Sequence, residues 1–172
     1  LYATSTMNET PELTPSPYDK SRDGLVIGEG GGALVLEEFE HAKTRGAHIY
    51  AELLGFGTNS DGKHATRPEV GTMGIAMQLA LDDAGIDSDV IGYVSAHGTA
   101  TDTGDIAESK ATRHIFGRAV PISSLKSYIG HTLGACGALE AWMSIHMMNE
   151  GWFAPTINLN QVDENCAELD YI

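Results

Sequence analysis

Three features of the sequence predict an α/β layered fold. Short apolar runs rich in β-formers alternate with segments whose apolar residues recur at helical spacing. Glycine and proline punctuate the boundaries between them. The composition, 42% hydrophobic and 20% charged over 172 residues, suits a folded domain with a core.

The elements follow in order. Residues 1–23 are polar with three prolines and read as a loop-rich lead-in. GLVIGEGGGALVLEE gives two short strands, 25–27 and 33–36, around a glycine cluster. That cluster fits neither GxGxxG before a helix nor GxxxxGK[ST], so a tight turn or close backbone packing is preferred to a phosphate loop. Residues 37–45 read as a short helix, acids first and bases last, stopped by Gly46. Residues 48–57 read as a strand, and the polar run to Pro68 as a loop. Residues 71–84 carry Met73, Ala76, Met77, Ala80, Leu81 and Ala84 at helical spacing, with Gly85 as the stop. Then come a strand (91–96), a helix (105–116), a strand (120–123) and a helix (133–150). FAPTINLNQ is extended and broken by proline, and AELDYI reads as a strand.

The net charge of −14 argues against a nucleic-acid partner. No apolar run is long enough to cross a bilayer, so no membrane role is expected. The two cysteines, Cys136 and Cys166, form no CxxC or zinc pattern and fit a reducing, cytoplasmic setting.

Two loops at strand ends draw attention, because sites in α/β sheets gather there. VSAHGTATDTGD places His97 directly after a strand, and SSLKSYIGHTLGACGALE places Lys126 and His131 between a strand and a helix. Neighbouring strands can bring the two histidines together. Two neutral imidazoles can each present an N–H to one oxygen, an arrangement suited to a thioester carbonyl becoming an enolate. Lys126 disfavours a second positive charge, and Glu140 can pair with it. Gly98, Thr99, Gly130 and Gly134 are expected to leave room for a slender substrate arm, to which Thr99 and Thr101 offer hydroxyls. Read from residues alone, a lone histidine in a loop is more often a surface or satisfied hydrogen-bonding residue. Metal ligation by His97, Asp102 and Asp105 is a third reading, but no HxH or HExxH motif supports it.

These two motifs resemble those of the β-ketoacyl-acyl carrier protein synthases, the elongating condensing enzymes (synthase I/II type) of the thiolase fold. The lysine five residues before the second histidine and the glutamate nine after it match, as do YDKSRDGLVIGEGGGALVLEE and APTINL. The resemblance covers nearly the whole chain. It implies the C-terminal half of a thiolase-like αβαβα fold and an acyltransferase of fatty acid elongation. In that reaction a cysteine takes an acyl group from acyl carrier protein, and malonyl carrier protein then loses CO₂ and attacks it. His97 and His131 would stabilise the thioester and enolate oxygens. Lys126 and Glu140 would be the supporting ion pair, and Thr99 and Thr101 would meet the phosphopantetheine arm carried by the substrate. Acyl carrier protein is the implied partner, and the complete protein is expected to be a homodimer. No cofactor of its own is implied.

The sequence also departs from the family. The family's nucleophilic cysteine and its GFGGTN-type segment have no counterpart here. Cys136 stands where a small residue such as alanine is usual and reads as a packing cysteine; Cys166 matches no nucleophile motif. The chain is therefore expected to be a C-terminal portion, inactive by itself and prone to self-association through faces meant for the other half. Asp102 replaces a frequent proline. Ser95 replaces an asparagine associated with a monovalent cation. The scarcity of clustered bases puts carrier docking largely on the other half. Alternatives are a ketosynthase of polyketide or aryl-polyene assembly, a non-catalytic chain-length factor, and an α/β domain with a binding role only.

Overall fold

The computed structural model describes residues 3–64 and 66–172; the first two residues of the lead-in, and Ala65 in the loop before Pro68, lie outside them. The centre is a parallel sheet of three short strands in the order β1 (Val94–Ser95), β2 (Pro121–Ser123), β3 (Asp170–Tyr171). Val94 pairs with Ile122, and Ile122 with Tyr171. Parallel neighbours need long crossovers, and helix α3 (Asp102–Phe116) makes the first of them.

Among the described residues five α-helices form: α1 (Phe39–Thr44), α2 (Val70–Ala84), α3, α4 (Lys126–Ile129) and α5 (Cys136–Glu150). Their ends obey local chemistry. The Glu38 carboxylate caps α1 by accepting from the Glu40 and His41 amides, and Gly85, Gly117 and Gly151 close α2, α3 and α5 in the left-handed conformation. Helix α3 starts three residues before the expected boundary because Thr101 takes an extended N-cap conformation. The expected helix 133–150 divides into a 3₁₀ turn, Leu133–Ala135, and α5. Helix α4 lies where a loop was expected; four residues are too few to show a period.

The core joins Tyr18, Ala96, Val120, Ile122 and Leu169, with Ile91, Val94, Phe116 and Tyr171 packed around it. Tyr18 is fully buried, so the lead-in contributes to the core although its described residues form only a 3₁₀ turn at Pro11–Leu13 and single bridges at Thr4 and Asp19.

The expected strands 25–27, 33–36 and 48–57 form no ladder among the described residues. Leu25 and Ile27 make single bridges, to Thr4 and His131. A strand needs a neighbour, and here many of the apolar side chains lie open: Val35 is 93% exposed and Leu53 72%. Local composition reports a preference for extended backbone, not the presence of a partner. The run 48–57 nevertheless lies against α2: a Cβ on Gly57 would stand 2.1 Å from the Ala76 carbonyl oxygen, so only glycine fits.

Candidate active site

The first histidine loop leaves β1, and α3 holds it from beneath. Asp105 and Glu108 are one helical turn apart on α3, so their carboxylates share a face. Glu108 accepts the backbone N–H of His97 at 2.7 Å, that of Gly98 at 2.8 Å and the Tyr18 hydroxyl at 2.9 Å. Asp105 accepts from the amides of Thr99 at 3.0 Å and Tyr18 at 2.8 Å. Arg22, its side chain buried, completes the layer with Asp163 at 2.7 Å and Asp105 at 3.6 Å. These bonds satisfy every amide from His97 to Thr99, which fixes the direction in which the His97 ring leaves the strand. Gly98 is required by close packing, not to admit a substrate: at φ 32°, a Cβ would meet Ser124 Cβ at 2.6 Å. Gly130 is likewise enclosed by backbone, whereas Gly134 faces open space. Of the expected substrate-arm glycines, only Gly134 leaves room.

The second loop comes from β2. Helix α4 places Lys126, with 1% of its side chain exposed, between the two loops. Its ammonium donates to Glu140 on α5 and lies 3.2 Å from His97 Nδ1. The His97 and His131 ring centroids are 5.1 Å apart at 88°. His131 is held by its backbone, donating to the Val26 carbonyl at 2.7 Å and accepting from the Gly28 amide at 3.0 Å. His97, His131, Lys126 and Glu140 thus converge from four segments of the chain.

The donors around the rings assign their tautomers. Lys126 can only donate, so His97 Nδ1 accepts and the ring proton sits on Nε2. The Leu133 amide donates to His131 Nδ1 at 3.1 Å, with the same consequence. Both rings offer Nε2–H. Loss of water first, then the Lys126 charge and His131, pull the His97 pKa down to about 4. His97 keeps one side open to solvent, and the adjacent Lys126 ammonium opposes a second charge on its ring. Desolvation and then Lys126 lower His131 as well. Thr99 is buried, with its hydroxyl 2.9 Å from that of the half-buried Thr101.

Sequence reading did not find Glu108, Tyr18 or Arg22, and it gave Asp105 only as a metal ligand. Asp105 instead accepts backbone amides, and the Asp102 side chain is 82% exposed. Among the described residues, no group of three or more histidine, cysteine or acidic side chains is arranged to hold a metal. Nor, among them, is any helix long and apolar enough to cross a membrane.

The fold and site together define an α/β protein in which two neutral histidines are braced by a lysine–glutamate pair. Comparison with known proteins agrees. Residues 50–160 match the β-ketoacyl synthase C-terminal domain, and the chain belongs to the β-ketoacyl synthase family. It is 48% identical over 168 residues to the 3-oxoacyl-[acyl-carrier-protein] synthase 2 of Vibrio cholerae, covering 94% of this chain and 41% of that protein. To the 3-oxoacyl-[acyl-carrier-protein] synthase 1 of Escherichia coli K12 it is 45% identical, covering 96% and 40%. A crystal structure of a β-ketoacyl synthase from Burkholderia phymatum superposes with a TM-score of 0.96 at 64% identity, covering 99% of this chain and 42% of that one. A ketosynthase solved in complex with its type II polyketide acyl carrier protein superposes at 0.93 with 40% identity, covering 99% and 43%. The fold is that of the thiolase-like ketosynthases, and the chain spans about two fifths of the length of these relatives.

Proposed function

We propose that the complete protein carrying this sequence is a 3-oxoacyl-[acyl-carrier-protein] synthase and that this chain supplies its paired histidines. The observation that carries the reading is the pair of Nε2–H donors on rings 5.1 Å apart, each with Nδ1 engaged by a fixed donor. A malonyl thioester losing CO₂ breaks a C–C bond and leaves its electron pair as an enolate. The developing oxygen charge needs donors already in place, and two neutral imidazoles provide them without reorganisation. The enolate carbon then attacks an acyl thioester held on a cysteine, forming the new C–C bond and releasing the thiolate.

Lys126, held by Glu140, keeps both rings neutral and orients His97. Thr101 and, more deeply, Thr99 offer hydroxyls to the phosphopantetheine arm of the carrier. Acyl carrier protein is the partner in this reading, in a cytoplasmic homodimer. The nucleophile lies outside these 172 residues: Cys136 is buried against His131, and burial raises the Cys166 thiol, which leaves it less reactive. A monovalent cation at the position of Ser95 finds one fitting donor, since the buried Ser95 Oγ has no hydrogen-bond partner.

Intact mass spectrometry of the complete protein, after incubation with an acyl carrier protein thioester, tests the reading. An acyl adduct mapped to a cysteine outside this sequence is the expected result. Folded protein with no adduct would favour the chain-length-factor alternative, and an adduct on Cys136 would contradict its assigned place.

A further inference from the structure

His131 has a neighbour that the mechanism above leaves unused. Cys136, the first residue of α5, is buried with its Sγ 3.1 Å from His131 Nδ1. The Thr132 hydroxyl lies 3.4 Å from the same sulfur, positioned to donate to it. That leaves the thiol proton for His131 Nδ1. We propose that the Cys136 thiol donates to His131 Nδ1 and is a positioning residue that holds the ring in its Nε2–H tautomer. The functional meaning of this bond rests on the condensing reading above.

The Leu133 amide already donates to the same nitrogen at 3.1 Å, so the acceptor is three-centred. Placing a proton on Nδ1, in the other tautomer or in the imidazolium, would set it against two donors. Both states are disfavoured, and Nε2 remains the donor. The two donors are not equivalent. Leu133 is an exposed non-glycine residue at φ 54°, a backbone conformation with an energetic cost. Cys136 belongs to a regular helix and is enclosed. The helix therefore anchors the ring where the turn alone would hold it less firmly.

The other titratable groups facing His131 are Lys126 and His97, with Glu140 behind the lysine. On the segment bridged through Ile27, Glu29 is exposed.

The test uses the complete protein and diethyl pyrocarbonate, which modifies the neutral ring, with His131 followed by peptide mass spectrometry as pH is varied. Cys136→Ala should raise the midpoint of His131 modification by about half a pH unit, the worth of a weak hydrogen bond. Cys136→Ser, which keeps a donor, should stay with the wild type. Superimposable wild-type and Cys136→Ala profiles would overturn the proposal, as would a Cys136→Ser shift as large as that of alanine. A shifted alanine profile together with full condensation by His131→Ala would leave the thiol bond standing and remove the condensing reading instead.

Discussion

A histidine beside a buried ammonium stays neutral only if the folded state penalises its protonation, and His97 shows both penalties. Its pKa falls from the usual 6.5 to about 4 through desolvation and the Lys126 charge. A group depressed in this way stabilises the fold above its unfolded pKa, and the contribution is lost as pH falls through the folded value. The window is therefore about 6.5 down to 4. Asp105, pushed up to about 7 chiefly by burial, has the opposite slope, so the wild type must be compared with a His97 variant. Relative to His97→Gln, the wild type should lose about 1–2 kcal/mol across that window, allowing for the solvent-exposed side of the ring. Urea unfolding at both ends of the range measures it, and equal losses would contradict the shift. The four site residues were legible in sequence because each lies within a short motif. Their supports were not: Tyr18 meets Asp105 and Glu108 across 87 and 90 residues, and no local pattern reports a contact of that separation.

Helix α3 does two jobs. It makes the crossover from β1 to β2 and carries the carboxylates that pin the His97 loop. Glu108 accepts three donors at once, which glutamine cannot do with one oxygen and one NH₂. Glu108→Gln should cost about 2–3 kcal/mol, the range for losing charged, buried hydrogen bonds. It should also lower kcat more than it raises KM, because the ring loses its direction and the substrate arm keeps its contacts. Thermal unfolding and steady-state kinetics on the complete protein check both parts; an unchanged kcat would show that Glu108 serves stability alone. Helix α2 was legible from periodicity and its glycine stop, since those signals are local. The runs 33–36 and 48–57 carried an equally local signal, yet formed no ladder among the described residues, because pairing depends on a second segment.

Across the whole molecule, hydrogen bonds tie down the His97 loop, while Val35, Leu36, Leu53 and Phe56 lie exposed. The chain spans about two fifths of the length of its relatives. The histidine loops were more legible than the packing, because the rings and their lysine follow strand ends directly, whereas the contact of 48–57 with α2 joins segments far apart in sequence. The central claim is that His97 and His131 together hold an enolate oxygen. The most direct measurement is the rate of CO₂ release from malonyl carrier protein by the complete protein, wild type against His97→Ala and His131→Ala. Each substitution should lower that rate by about 10²-fold or more, as removal of an oxyanion donor does. Decarboxylation at the wild-type rate by either correctly folded variant would contradict the account.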